Sequence, residues 1–200
     1  MNIEISEAPI TSVAELGLVP ISFTVDREYD VVPNQCSGRF VLSERIVETP
    51  YVKDYDGIPG EGPSQWARQF DISRWGFIRA QMGGRLVGGA VLAFDTGDVA
   101  MLEGRRDLAV LWDIRVSPEV RGQGIGCRIV RSSEAWAISR GCRQLKVETQ
   151  NINVPACKFY QGRGFILKTV DRLAYPELPG ETQLLWYKDL YEGHLAVQAG

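Results

Sequence analysis

The sequence predicts a mixed α/β fold, in which an antiparallel hairpin precedes alternating strands and helices. Three observations support this prediction. The chain has 200 residues, of which 44% are hydrophobic and 24% charged, a globular composition that fits one domain. Two apolar runs, residues 75–82 and 85–94, meet at Gly83-Gly84, which is typical of a β-hairpin. Residues 109–161 then alternate strand and helix patterns.

Other elements are predicted on both sides of this hairpin. Residues 1–35 are weakly patterned, and residues 51–63 are rich in glycine and proline, which predicts a loop. Strands are predicted at 39–47, 109–116, 144–149, 165–174 and 182–190, and helices at 64–70, 124–140 and 154–161. Ser64 and Asn153 are expected to cap the first and last helix, and Gly141 is expected to end the second.

Residues 121–126, with the sequence RGQGIG, follow a strand and open a helix. The first amides of a helix have no intrahelical acceptor, and glycines let an anion approach the backbone, so this turn predicts a phosphate site. A glycine-rich turn that binds no ligand is the alternative. It is not a P-loop, because no Lys-Ser or Lys-Thr follows Gly126. It is not a dinucleotide fingerprint either, because Cys127 stands where the third glycine would be.

Two motifs in this region resemble those of the GNAT acetyltransferases. Arg121, Gly124 and Gly126 match the pattern [RQ]-x-x-G-x-[GA], which in that family binds coenzyme A. A second signature, N-x-x-A-x-x-x-Y-x-x-x-G-F, is matched by Asn153, Ala156, Tyr160, Gly164 and Phe165. The resemblance covers residues 75–170. It implies the GNAT fold, with a central, mostly antiparallel sheet that is splayed between the strands at 109–116 and 144–149 and flanked by helices.

The resemblance also implies a division of one GNAT domain, residues 1–200, into three parts. Residues 1–74 are the variable acceptor side, residues 75–170 the acetyl-CoA-binding core and residues 171–200 the C-terminal strands. Within the family, Glu148-Thr149-Gln150 and residues 50–55 look like the streptothricin acetyltransferases, which acetylate an amine of a cationic antibiotic. The chain departs from these enzymes in its longer N-terminus, in the 95–108 connection and in lacking their acidic middle segment.

These resemblances imply an acetyl-CoA-dependent N-acetyltransferase that acts on a primary amine of a small cationic molecule such as streptothricin, and so confers antibiotic resistance. Two alternatives stay open: a GNAT enzyme that acetylates a protein or peptide amine, and a non-catalytic acyl-CoA-binding domain. Residues expected to bind the coenzyme are those at the end of the strand, in the glycine turn and on the following helix: Ile114, Arg115, Val116, Arg121, Gly122, Gln123, Gly124, Ile125, Gly126, Cys127, Asn153 and Tyr160.

Direct transfer requires a group that takes a proton from the amine and a group that gives one to the leaving thiolate. Asp113 and Glu148 are candidates for the first role, although Asp113 could equally be a salt-bridged structural carboxylate and Glu148 a solvent-facing strand residue. Tyr160 matches the general acid of the family, with a packed aromatic ring as its alternative. Arg121 could contact phosphate or cap the turn.

An acidic and aromatic cluster in the N-terminal half is the candidate acceptor site, because it suits an ammonium group. Its members, with Asp113, are Glu44, Glu48, Tyr51, Asp54 and Tyr55. A solvated strand and loop would explain the same residues.

Several partner classes are not expected. The formal net charge of −3 argues against nucleic acid, and no apolar run is long enough to span a membrane. The four cysteines form no CxxC pair, so no metal site is expected and reduced thiols in the cytoplasm are predicted. Homodimerisation is left open, because dimers are common in this fold.

Overall fold

The computed structural model describes residues 2–34 and 39–190. Cys36, one of the four cysteines, and His194, the single histidine, lie outside these residues. The chain forms two compact units. The first contains the described residues of 1–21, 55–145 and 189–200, and the second contains those of 22–54 and 146–188.

The strands, in chain order, are β1 (Ile3–Ala8), β2 (Phe23–Asn34), β3 (Arg39–Lys53), β4 (Gly76–Met82), β5 (Arg85–Ala93), β6 (Leu108–Val116), β7 (Gln144–Gln150), β8 (Ile166–Asp171) and β9 (Gln183–Asp189). The α-helices are α1 (Trp66–Gln69), α2 (Ile125–Ser139) and α3 (Val154–Gln161). Short 3₁₀ helices cover Ile10–Leu18, Ala100–Leu102 and Pro118–Val120.

An antiparallel sheet with the strand order β1-β4-β5-β6 forms the centre of the first unit. Helix α2 packs against all four of these strands. It buries one side, including Ile125, Ile129 and Trp136, because apolar residues recur at helical spacing. A separate core cluster joins Leu16 of the first 3₁₀ helix to Phe77 and other buried residues. The sheet is therefore covered by apolar side chains from two directions.

The contact between β4 and α2 requires a glycine. A Cβ atom added to Gly76 would lie 2.3 Å from Cε2 of the Trp136 indole. Trp136 is buried, and its indole Nε1 donates to Glu7 at 2.8 Å, so the ring is held in place. The absence of a side chain at residue 76 is thus what lets the indole lie against the strand.

In the second unit, β7, β9 and β8 follow one another in a sheet, while β2 and β3 form a separate antiparallel hairpin. The hairpin contacts β8 through β3 and α3 through β2. Asn151, just after β7, connects these parts: its carbonyl accepts from Tyr29 N at 2.9 Å, and its amide donates to Thr182 O at 3.1 Å.

The structure confirms the mixed α/β class and the mostly antiparallel sheet. The hairpin at Gly83-Gly84, the strand before the glycine turn and the helix after it lie within a residue or two of their predicted bounds. Asn153 caps α3 as predicted, with its Oδ1 accepting from Ala156 N at 3.1 Å. Strong local signals therefore located most of the residues between 75 and 161.

Residues 1–35 differ most from the prediction, because they contain two strands and a 3₁₀ helix. The signal is weak since β1 buries only Ala8, and the register of β2 shifts between Val25 and Arg27. Strand β3 also continues to Lys53, beyond the predicted end at residue 47. Pro50 is tolerated because the register passes from Ile46 to Tyr51 without pairing it.

Two further predictions are corrected. Helix α1 is only four residues long and its N-cap is Gln65, which makes no side-chain capping bond, so the assignment of Ser64 as the cap was wrong. Strand β8 ends at Asp171 rather than at residue 174, and a turn follows it. None of the helices among residues 2–34 and 39–190 is long and apolar enough to cross a membrane.

Gly76→Ala is expected to destabilise the fold by about 1–3 kcal/mol, because the new methyl group would overpack the buried indole. Urea unfolding of the variant and the wild type measures this loss. Gly97→Ala is the matched control, since a Cβ atom there meets nothing within 4 Å. Equal unfolding midpoints for the two variants would contradict the proposed constraint at residue 76.

Candidate active site

The glycine turn of the first unit leaves helix amides available to a ligand. Between β6 and α2, Gly122 has a φ of +77° and Gly124 a φ of +76°, which favours glycine at both positions. A Cβ atom at either residue would meet nothing within 4 Å, so the turn is open on that side. Gly124 is the N-cap of α2 and no side chain caps the helix. The first amides of α2 therefore carry a partial positive charge that suits an anion.

Arg121 is bonded to the backbone that leads into this turn. Its Nε donates to Val116 O at 2.9 Å, and Nη2 lies 3.4 Å from Pro20 O. The sequence left two roles open for Arg121, contacting a phosphate or capping the turn. The structure contains the contacts of a cap. These bonds fix the path of the chain between the end of β6 and the turn.

Asp113 and Arg115 lie on the same face of β6, because side chains alternate along a strand. The guanidinium of Arg115 donates to Asp113 through Nε and Nη2, at 3.0 and 2.8 Å, and to Asp56 through Nη2 at 2.8 Å. Its Nη1 also donates to Val19 O at 3.2 Å. The side chains of Asp113 and Arg115 are 5% and 1% exposed, so this is a buried ion pair.

Burial raises the pKa of the Asp113 carboxyl, while the hydrogen bonds and positive charge of Arg115 act in the opposite direction. For Arg115, burial acts to lower the pKa, but the bonds to Asp56 and Asp113 raise it overall, so the guanidinium stays charged. The carboxylate of Asp113 is thus paired with the Arg115 guanidinium, which stays positively charged. This arrangement favours the structural interpretation of Asp113 over a role as proton acceptor.

In the second unit, Tyr160 and Asn153 are both on or beside α3. Tyr160 is 3% exposed, and its ring makes edge contacts with Phe159 and Phe165 at centroid distances of 5.2 and 5.3 Å. Asn153 caps the helix. Both residues therefore have a structural role, and both are fixed in position.

Glu148 on β7 is held by neutral groups. Its Oε1 accepts from the Tyr175 hydroxyl in a short bond and from Gln150 Nε2 at 3.2 Å, and its Oε2 accepts from Gln183 Nε2 at 2.7 Å. The sequence pointed to Glu148 through its Glu-Thr-Gln resemblance. It gave no signal for Tyr175 or Gln183, which lie 27 and 35 residues further along the chain.

The residues of the predicted acceptor cluster do not lie together at one place in the structure. Glu44 is bonded to Lys158 at 2.7 Å and to Arg27 at 3.3 Å, and the hydrogen bond from Lys158 lowers its pKa. Glu44 is opposite Tyr29 in the hairpin register, whereas Tyr51 is opposite Val25, a separation of roughly 13 Å along the strand.

The other members of this cluster vary in exposure. Glu48 and Asp54 are exposed, while Tyr55 is half-buried and belongs to the first unit. In the ranges that the structure describes, no three His, Cys, Asp or Glu side chains are grouped so that they could hold a metal ion.

The sequence has known relatives. A streptothricin acetyltransferase of Escherichia coli is 38% identical over 84 residues, which are 40% of this chain and 48% of that relative. A streptothricin acetyltransferase of Streptomyces lavendulae is 26% identical over 169 residues, 84% of each chain. The first of these matches spans only about half the length of the relative.

Solved structures share the fold. The crystal structure of a Bacillus anthracis protein described as a streptothricin acetyltransferase, in complex with acetyl coenzyme A, matches with a TM-score of 0.76 at 23% identity. The match covers 94% of this chain and all of that one. At this identity the likeness concerns the fold alone.

A family profile matches more than half of the chain. It is that of the acetyltransferase (GNAT) family, and it covers residues 46–165, from within β3 to the end of the second sequence signature. This range includes β6, the glycine turn, α2, Glu148 and α3. The chain therefore belongs to the GNAT acetyltransferase family.

Proposed function

We propose that this protein transfers the acetyl group of acetyl-CoA to a primary amine of a small cationic molecule such as streptothricin, and thereby confers resistance to it. The observation that carries the proposal is the open glycine turn at the start of α2, in a chain of this family. The described cysteines Cys127, Cys142 and Cys157 are free thiols, which agrees with a reaction in the reducing cytoplasm.

The residues of the turn fit a pyrophosphate. The amides of residues 121–127 would receive its oxygens, because they lie at the positive end of a 15-residue helix and no Cβ atom blocks Gly122 or Gly124. The backbone of Ile114, Arg115 and Val116 would bind the acetyl carbonyl and the pantetheine arm as an added strand does. Asn153 would bind the same arm.

Glu148 is the better candidate for the proton acceptor of the amine. Asp113 is paired with Arg115, and Glu44 with Lys158 and Arg27, so each of these carboxylates is already neutralised. The carboxylate of Glu148 receives only neutral donors among the described residues, so no cationic side chain there is paired with it. An ammonium group of ordinary pKa, about 10.4, must lose a proton before it can attack.

The proposed proton transfers balance. Glu148 takes one proton from the ammonium group, the amine nitrogen then forms a bond to the acetyl carbon, and the carbon–sulfur bond breaks. Tyr160 gives its phenolic proton to the departing sulfur and regains one from the acylated nitrogen. The proton on Glu148 leaves to solvent. The sum is one amide, one CoA thiol and one released proton for each ammonium group.

Acetyl-CoA is expected to raise the melting temperature of the wild type, and Gly124→Ala is expected to reduce this shift. The matched control is Gly141→Ala at the other end of α2. Both glycines have a positive φ, +76° and +80°, and open space around a Cβ atom. Each substitution should cost about 1 kcal/mol of stability through backbone strain alone.

Only Gly124→Ala should raise the dissociation constant of acetyl-CoA, which calorimetric titration measures. Equal weakening in the two variants would mean that α2 is merely destabilised. The absence of any thermal shift at millimolar acetyl-CoA would overturn the coenzyme assignment.

Streptothricin is expected to be acetylated with stoichiometric release of CoA thiol, which a colorimetric thiol reagent measures. Glu148→Gln should lower kcat/KM by about 100-fold or more, because the proton acceptor is lost. Glu177→Gln is the control, since this carboxylate is exposed on the turn after β8 and its substitution should leave kcat/KM unchanged.

A panel of acceptors that includes peptide amines separates the alternative functions. Peptide turnover alone would favour a protein acceptor, and acetyl-CoA binding with no turnover of any amine would favour a non-catalytic domain.

Tyr160→Phe is expected to lower kcat by about 10-fold to 100-fold, because the leaving thiolate loses its proton donor while the ring stays in place. The dissociation constant of acetyl-CoA should change little. Single-turnover kinetics and calorimetry measure the two quantities. An unchanged kcat would show that the tyrosine is only a packed aromatic residue.

A further inference from the structure

The hydrogen bonds to Glu148 engage both oxygens of its carboxylate. Oε1 accepts from Tyr175 and Gln150, and Oε2 accepts from Gln183. Gln150 Nε2 also donates to the Tyr175 hydroxyl at 3.0 Å, so the tyrosine is oriented as well. A carboxylate that is bonded on both oxygens cannot rotate freely, and its direction in the site is therefore set by these partners.

The charges of the donors distinguish this carboxylate from three other acidic residues. Asp113 is bonded to an arginine, and Glu44 and Glu181 are bonded to lysines. Donors to Glu148 are one phenol and two amides, which stabilise the anion without cancelling its charge. Burial, followed by the negative charge of Glu148, raises the pKa of the Tyr175 phenol, so its hydroxyl keeps the proton that it donates.

Resting on the function proposed above, we propose that Tyr175 and Gln183 are positioning residues that hold the carboxylate of Glu148 aimed at the ammonium group of the acceptor. Neither residue needs to contact the reacting atoms. Each acts by donating a hydrogen bond that favours the carboxylate over the carboxylic acid.

The segment that carries Tyr175 is itself held in place within the second unit. At its start, Arg172 Nη2 donates to Val31 O at 2.7 Å. At its end, Thr182 N donates to Asn151 Oδ1 at 2.7 Å, and Asn151 N donates back to Thr182 O. Because both ends of this segment are fixed, Tyr175 lies beside Glu148 in a defined position. This reduces the entropic cost of holding the tyrosine side chain there.

An ion pair adds to this arrangement. Lys53, at the end of β3, is bonded to Glu181, and the side chains are 14% and 8% exposed. A largely buried pair of this kind is screened by salt less than a surface pair is. Strand β3, a part of the variable N-terminal half, is therefore connected to the turn that orients the proposed proton acceptor.

Loss of a donor should have a specific effect on pH dependence. Without the Tyr175 hydroxyl, protonation of the carboxylate becomes easier, so the acidic limb of the kcat/KM profile should move to higher pH. The activity should return toward the wild-type value at pH values above this limb, where the carboxylate is ionised in both proteins. A merely structural role would instead lower kcat/KM by a similar factor at every pH.

The experiment compares the kcat/KM profiles of the full-length wild type, Tyr175→Phe and Gln183→Met with one amine acceptor, by CoA thiol release. We expect each variant to shift the acidic limb upward by about one pH unit, which lowers kcat/KM by about 10-fold on that limb and by little above it. The ionisation of the amine is common to all profiles and cancels in the comparison. Tyr187→Phe on β9 is the control, because Tyr187 makes no bond to Glu148 and its ring is retained.

An acidic limb in Tyr175→Phe and Gln183→Met that coincides with that of the wild type would overturn the inference, as would an equal shift in Tyr187→Phe. The same assay identifies a failure of the proposed function. If the wild type releases no thiol, or if Glu148→Gln matches the wild type, then the function or the role of Glu148 is wrong. If Glu148→Gln is inactive and the limb does not move in either variant, only the positioning role is wrong. Gln183→Met serves as the independent variant if Tyr175→Phe does not fold.

Discussion

The buried guanidinium of Arg115 holds together the part of the first unit from which the glycine turn departs. It bonds two carboxylates, Asp113 and Asp56, and the carbonyl of Val19. A buried charge is tolerated only when its hydrogen-bonding groups are satisfied, so the strand end, the 55–62 loop and the segment after the first 3₁₀ helix must meet there. Arg121 extends the same arrangement, because it bonds the carbonyls of Val116 and Pro20. The path of the chain into α2 follows from these contacts.

Asp113 in the first unit and Glu148 in the second have hydrogen-bond donors of different charge. This difference distinguishes a structural carboxylate from a candidate for the reaction. Asp113 is neutralised by an arginine whose charge does not titrate in the physiological range. Glu148 is surrounded by a phenol and two amides, which satisfy its oxygens but leave its charge. A buried carboxylate that is paired with a cation has its charge compensated within the protein. A carboxylate that is bonded only to neutral donors can still attract an incoming cation. This comparison is what favours Glu148 as the proton acceptor.

Local signals and long-range contacts were not equally visible in the sequence. The hairpin at Gly83-Gly84, the glycine turn and the Asn153 cap each depend on a few neighbouring residues, and each was predicted at its place. Strands β1 and β2 were missed because β1 buries only Ala8 and β2 carries a register shift, so neither shows clean alternation. The extension of β3 past Pro50 was missed because proline is normally excluded from a regular ladder. Here residues 47–50 are unpaired, so the strand tolerates it.

By itself, the sequence determined the fold class, the position of the glycine turn and the family, because these depend on backbone conformations that glycine, asparagine and proline specify over short spans. It also named both Asp113 and Glu148 as candidates for the same task. Only the tertiary structure shows how differently the two are bonded, since the environment of a carboxylate is set by side chains distant in the chain. Asp56 reaches Arg115 across 59 residues, and Tyr175 reaches Glu148 across 27. No local pattern encodes such pairs, because the hydrogen bonds exist only after the strands and turns that carry them have packed.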